Sequence, residues 1–227
     1  VAPEYELKQV EYCTWGEDID VQAHSQMKHA CSLPVASAGA LMPDAHVGYG
    51  LPIGGVLATE NSVIPFAVGV DIACRVKLTV FDMPGDQIER NREPLGQAIE
   101  KNTLFGIGAR FKKPRSHPVL DEDWEFSRYV SGLKEIAWRQ LGTSGSGNHF
   151  VEFGIFELLE PRFGVAPGEY VALVSHSGSR GSGAKIAHHF SRIAREKRKN
   201  LPRNIQHLAW LSLDEEEGQE YWEAMQL

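Results

Sequence analysis

Val68-Gly69-Val70-Asp71-Ile72-Ala73-Cys74-Arg75 is an apolar run that stops on a carboxylate and a thiol. Ser62 to Val70 reads as a buried strand, with Pro65 at a bulge or edge, so Asp71 and Cys74 would sit where the chain leaves a sheet and turns. A carboxylate is a hard ligand, a thiolate a soft one, and imidazole lies between. With His149 and His176, which lie in loops of similar design, the four suit a borderline divalent ion better than calcium. A thiolate can also bridge two metals, so four residues can begin a two-metal centre. Thiols bind metal as thiolates, and Arg75 next to Cys74 favours that form. Taken singly, Cys74 reads more readily as a small buried hydrophobe, and a lone Asp71 reads as a turn cap.

Outward from this stretch, Lys77 to Phe81 alternates polar and apolar residues and predicts the next strand. Val21 to His29 starts a helix whose exit is marked by Leu33-Pro34. Leu41 to Ile53, dense in Gly and Pro, predicts loop or tight turn. Gln87 to Lys101 fits an amphipathic helix, and a second runs from about Trp124 to Leu141. His149 to Leu158 and Tyr170 to Val174 predict strands, and a helix follows from about Ala184 to Lys199, with cations crowding its last turns. Strands and helices mix without regular alternation, so the expected class is α+β, with mixed sheets and packed helices, rather than a doubly wound sheet. At 227 residues and 42% hydrophobic content, the chain can bury a core as one large domain or two small ones.

The net charge of −7 argues against global attraction to nucleic acid. Local basic patches escape that objection, because exposed charges act only over about 8–10 Å. Lys112-Lys113-Pro114-Arg115 and the run Arg195 to Arg203 are such patches, or else plain solvated surface. Cys13, Cys31 and Cys74 are too few and too scattered for a disulfide framework. Nothing near Val1 resembles a signal peptide, and no apolar stretch is long enough to span a bilayer. A reducing cytoplasm is the expected compartment, with no membrane partner. The start at Val1, and a Tyr221-Trp222 helix pattern without terminal punctuation after the acidic run Asp214–Glu217, predict an incomplete chain.

Three further loops carry chemistry. Gly142-Thr143-Ser144-Gly145-Ser146-Gly147-Asn148 has small residues that let backbone N–H groups converge on an anion, or form a mere turn. It precedes a strand and lacks the terminal Lys-Ser/Thr of a P-loop, so it is no dinucleotide fingerprint. His176–Gly183 orders strand, glycine-rich turn and helix start, with Arg180 offering a bidentate fork for phosphate. The plain alternative is a helix start capped by Ser182. Ile186, Ala187, Phe190, Ile193 and Ala194 define the apolar stripe of the helix that follows. His188 and His189 then read as surface residues, since adjacent helical positions do not converge on one metal. Finally, Met42-Pro43-Asp44-Ala45-His46 with Val47-Gly48-Tyr49-Gly50 is a polar cluster in which Asp44 would accept an imidazole N–H, or a self-stabilised turn.

Taken together these segments resemble the RtcB family of RNA ligases. The carriers are Met42–His46 with Gly48-Tyr49-Gly50-Leu51-Pro52-Ile53-Gly54-Gly55, Val68–Cys74, Gly142–Asn148 with His149-Phe150, and His176-Ser177-Gly178-Ser179-Arg180-Gly181. The resemblance implies an RtcB-like α+β fold and an enzyme of the tRNA-splicing and RNA-repair type. Such a ligase joins RNA 3′-phosphate or 2′,3′-cyclic phosphate ends to 5′-hydroxyl ends, using GTP and two manganese ions. A histidine attacks GTP and is guanylylated, the RNA 3′-phosphate takes the GMP, and the 5′-hydroxyl displaces it. Asp71, Cys74 and His149 would hold one metal, with Cys74 bridging to a second held by His176. Asn148, His149, Phe150, Val151 and Glu152 would line the GMP site, Asp44 would orient the histidine nucleophile, and Arg180 would face RNA phosphate. Implied partners are RNA ends (tRNA halves or damaged RNA), GTP and an auxiliary activating protein.

In the family the guanylylated histidine, a further metal-binding histidine and a guanine-contacting lysine lie in a C-terminal region that this sequence does not reach. Residues 1–227 are therefore expected to form a single RtcB-like catalytic domain, incomplete at its C-terminus and inactive in ligation by itself. His207 matches neither missing motif. Arg75 stands where many members have glycine, which suggests a divergent branch. Two rivals remain: a non-catalytic remnant that binds metal or RNA ends, and a metal-dependent phosphoesterase using water as nucleophile.

Overall fold

A computed structural model describes residues 5–227. The segment around Val1, where no signal peptide was expected, begins outside the described residues. In chain order the elements are β1 (Tyr12–Thr14), α1 (Val21–Cys31), β2 (Ala36–His46), β3 (Ile53–Thr59), β4 (Ser62–Val63) and α2 (Pro65–Val68). Then come β5 (Arg75–Pro84), α3 (Gln87–Arg90), α4 (Arg92–Asn102), α5 (Arg128–Ser131) and α6 (Lys134–Gln140). The last are β6 (Phe150–Leu158), β7 (Gly168–Ser177), α7 (Arg180–Lys197), β8 (Leu211–Ser212) and α8 (Glu216–Gln226). Helices accompany three separate sheets, as the α+β expectation requires. The described elements belong to two compact units: residues 5–72, 124–130 and 183–227, and residues 73–123 and 131–182.

In the first unit α1 is started by Asp20, whose carboxylate accepts from the Gln22 N–H at 2.7 Å, and it ends with Lys28 and His29 in the turn where the dipole favours cations. Its buried residues, Ala23, Met27, Ala30 and Cys31, recur at helical spacing on one stripe. Met27 and Cys31 pack with Leu41 and Ala45 of β2 over the sheet β1-β2-β3. Gly39 makes the approach possible, because a Cβ there would run into the Met27 and Cys31 side chains. Burying a side chain the size of Met27 or Leu41 contributes about 1.5–3 kcal/mol. A second core surrounds the later helices. Ile186, Ala187, Phe190 and Ala194 are buried as the stripe predicts, Ile193 is half-buried, and Phe190 packs against Tyr221 of α8 at 5.2 Å between ring centres.

The second unit is built on an antiparallel sheet of order β5-β7-β6. The central strand β7 pairs on both sides, His176 lying opposite Val76 of β5 and Phe150 of β6. Strand residues alternate between faces, so Phe150 and Glu152 share one face with His176 while Val151 takes the other.

Several boundaries differ from expectation. The strand predicted over Ser62–Val70 stops after two residues, and Pro65 opens α2 instead, as a residue with fixed φ and no N–H suits a first helical position. A short apolar run cannot by itself tell a buried strand from a buried helix. Cys74 consequently precedes a strand rather than following one. Leu41–Ile53 was expected to be loop, yet β2 continues to His46; Pro43 is accommodated in an irregular register between Leu41 and His46. The helix predicted over Trp124–Leu141 is two short ones, α5 and α6. His176 lies within β7 rather than in a loop.

Candidate metal centre

Cys74 is placed by the turn before β5, where Ala73 adopts a left-handed φ of 57°. His149 immediately precedes β6, and His176 is the penultimate residue of β7. Because β7 is the central strand, hydrogen bonding on both sides fixes its register and carries these three residues to the same end of the sheet. Cys74 Sγ is 2.7 Å from His176 Nε2 and 3.4 Å from His149 Nε2. The three potential ligand atoms lie within 4.8 Å of one another. The two imidazole rings meet edge to face at 5.3 Å, and the Phe150 ring covers His176 at 5.5 Å. Cys74 is exposed and both histidines are half-buried, so the cluster is open to solvent on the sulfur side.

A thiolate and two imidazoles coordinated to one ion sit roughly 3.5 Å apart, from metal–sulfur distances of about 2.3 Å and metal–nitrogen distances of about 2.0–2.1 Å. The His149 separation already has that value, and the His176 contact would open on loading. One sulfur and two nitrogens fit a borderline transition metal and do not fit calcium. Asp71 lies half-buried at a bend and belongs to the first unit.

Around the cluster, Arg180 Nη2 donates to His149 Nδ1 at 3.2 Å, and its Nε donates to the Gly178 carbonyl at 3.2 Å. Arg180 itself has a left-handed φ of 52° as it opens α7. The glycine loop is locked to the sheet by Ser177, whose hydroxyl donates to the Thr143 and Ser144 carbonyls at 3.2 and 3.1 Å. Two of its amides are consumed internally: Thr143 N–H bonds Gln140 and Ser144 N–H bonds Leu104. Those two do not contribute to an anion cradle. Gly145 has φ 130°, and a Cβ there would run into the Arg180 guanidinium.

Ser182 does not cap α7 in the expected way; its hydroxyl donates to the Ser179 carbonyl, a bond within the first turn. The cap role falls to Gln140, whose side-chain oxygen accepts from Gly181 N–H at 2.8 Å. Neither Gln140 nor Ser177 was legible beforehand, because a lone amide or hydroxyl in a sequence carries no partner. Asn148 is exposed in a turn, Phe150 and Glu152 are exposed on β6, and Val151 is half-buried. In the first unit, Asp44 is exposed on β2, and His46 Nδ1 donates to its main-chain carbonyl at 2.8 Å rather than to its carboxylate. His188 is exposed as expected, but His189 stacks on Tyr129 at 3.7 Å, and burial lowers its pKa.

The family profile described as tRNA-splicing ligase RtcB matches residues 26–134 and 121–227. An RNA-splicing ligase RtcB of Escherichia coli is 30% identical over 205 residues, covering 83% of this chain and 48% of that protein. The tRNA-splicing ligases RtcB of Methanococcus maripaludis and Nanoarchaeum equitans are 29% and 31% identical, covering 92% and 88% of this chain and 52% and 50% of those proteins. The chain spans about half the length of the curated relatives it matches. With the profile matching nearly the whole sequence across both compact units, the chain belongs to the RtcB family of tRNA-splicing ligases.

Proposed function

We propose that this chain supplies the thiolate–imidazole part of a two-manganese centre in a GTP-dependent RNA ligase, which joins 3′-phosphate or 2′,3′-cyclic phosphate ends to 5′-hydroxyl ends. The observation that carries the proposal is the convergence of Cys74 Sγ, His149 Nε2 and His176 Nε2 in a member of the RtcB family. Cys74 would bridge, Asp71 and His149 would complete one ion's shell, and His176 would bind the other. The ions would serve as Lewis acids that hold phosphoryl oxygens and spread developing charge.

The protein groups have separable tasks. Phe150 fixes the His176 ring by edge-to-face contact, so the ligand nitrogen is preorganised. Asn148, His149, Phe150 and Glu152 would receive the guanylate through side chains, and Val151 through its main chain, since its side chain takes the other face. Arg180 would bind an RNA phosphate once free of His149. Asp44 would orient the nucleophilic histidine, for which no residue of this chain is assigned. Both compact units would belong to one catalytic domain working in the cytoplasm on tRNA halves or damaged RNA, with an auxiliary protein to activate it. Among the described residues no helix is long and apolar enough to cross a membrane.

Crystals soaked in manganese and measured at its absorption edge test the proposal. It requires anomalous peaks within bonding distance of Cys74, His149 and His176, and the lack of any peak there overturns it. A non-catalytic remnant that binds metal or RNA ends is the second reading, favoured by the open Cys74–His149–His176 cluster without an assigned nucleophile. Labelled GTP bears on both: covalent label on the isolated chain would reveal a nucleophile on it and remove the remnant reading.

A further inference from the structure

The sequence from Arg192 to Arg203 holds six cationic residues and one acid in a chain whose net charge is −7. Packing divides five of these cations into two sets, and the sixth, Arg203, is exposed beyond the helix. Lys197 bonds Glu217 at 2.8 Å and Glu215 at 3.3 Å, and Arg198 bonds Glu215 at 3.3 Å while lying over the Trp210 ring at 5.0 Å. That set is spent on holding α7 to the segment that starts α8. Arg192, Arg195 and Lys199 recur at i, i+3 and i+7, which places them on one stripe of the helix and its extension. All three are exposed, and with Glu196 and Gln206 they line a depression of about 460 Å³. Among the residues described as lining it, Glu196 is the acidic one, and it forms a solvent-exposed pair with Arg192 at 2.9 Å. Gln206 is held in place by donating its side-chain amide to the Lys199 carbonyl at 3.1 Å.

We infer that this face of α7 is a docking surface for the phosphodiester backbone of the RNA strand, a contact to the body of the substrate rather than to its reacting end. The inference rests on the RNA-ligase reading. A polyanion held by a chain of negative net charge needs a local field, and exposed charges act only within about a Debye length, 8–10 Å. The stripe from Arg192 to Lys199 extends about 10 Å along the helix. Three cations against one acid leave it attractive to an anion, and cationic side chains are the usual partners of backbone phosphates. Binding there would be sequence-independent and strongly salt-dependent.

The test is fluorescence anisotropy of a labelled single-stranded RNA with the full chain, at several salt concentrations. The triple variant Arg192→Gln, Arg195→Gln, Lys199→Gln is compared with a control of equal charge change on α3 and α4, Arg90→Gln, Arg92→Gln, Lys101→Gln. Circular dichroism and melting verify that both variants fold; the replaced side chains are all exposed. The inference expects the α7 variant to bind about 10–100-fold more weakly and its log–log salt slope to fall by about 2, at roughly 0.7 per contact for single strands. The control variant should keep the parent affinity within about threefold. Equal losses in both variants, or no loss in the α7 variant, overturn the inference while leaving the ligase reading intact. A parent chain that binds no RNA overturns it too, and metal soaking then decides separately on the ligase reading.

Discussion

Arg180 Nη2 lies 3.2 Å from His149 Nδ1, and a guanidinium has only donors to offer. Nδ1 must therefore accept, which leaves the proton of a neutral imidazole on Nε2, facing Cys74 Sγ at 3.4 Å. A metal at Nε2 requires the opposite tautomer, with Nδ1 protonated, and Arg180 would then face another donor. Metal loading and the Arg180–His149 contact thus exclude one another. Replacing Arg180 by Met should tighten metal binding by roughly tenfold, within the range by which outer partners alter metal affinity. Cobalt(II) titration followed by visible absorption checks this, and an unchanged or weaker affinity would show that the guanidinium does not compete.

Cys74 is exposed, so its sulfur does not serve core packing. Cys74→Ser should remove the sulfur-to-cobalt charge-transfer band and weaken binding by about 100-fold, since a hydroxyl is a poor substitute for a soft thiolate. Melting temperature should stay within about 2 °C of the parent, as expected for a surface change of at most ~0.5 kcal/mol. A variant that retains the band would place another sulfur on the metal.

How much of this was legible beforehand depended on the range of the interactions involved. The apolar stripe of α7 was readable because helical periodicity is local, and Ile186, Ala187, Phe190 and Ala194 are buried as it requires. The pairing of His149 with His176 was readable only as compatible ligand chemistry; the register that places His176 opposite Phe150 is a long-range choice of β7. Ser62–Val70 misled because Val63, Ile64, Phe66 and Val68 are equally apolar in a strand or a helix, and Pro65, read as a bulge or edge, is instead the first residue of α2. Arg180 was singled out for phosphate, but its bond to His149 spans 31 positions and has no sequence signature.

Gly145 carries two constraints at once, a φ of 130° that L side chains rarely adopt and a Cβ position taken by Arg180. Gly145→Ala should destabilise the second unit by about 1–3 kcal/mol, the usual cost of such backbone strain plus displacement of the guanidinium. Urea unfolding measures it. In a double-mutant cycle, Arg180→Ala should recover the steric part and leave the backbone part, giving a non-zero coupling between the two positions. Strict additivity would mean that Arg180 does not press on the loop.

The ion pair between Lys197 and Glu217 sets a pH dependence whose sign is determined by both partners. The Lys197 hydrogen bond holds the Glu217 carboxyl below its usual range, and the Glu217 hydrogen bond raises the Lys197 ammonium above its own. A carboxylate with a depressed pKa stabilises the fold above its unfolded value of about 4.3, and that contribution is lost as pH falls through the folded value. A raised ammonium contributes fully below about 10.4 and loses its effect as pH rises through the folded value. Both side chains are about one-third exposed, 30% and 35%, so screening keeps the pair near or below about 1 kcal/mol. Lys197→Met should lower the melting temperature by about 2–4 °C at pH 7. At a pH low enough to protonate Glu217 in the folded state, below its depressed value, the deficit should shrink towards zero. A deficit of the same size at both pH values would assign the effect to the packing of the Lys197 stem instead of its charge.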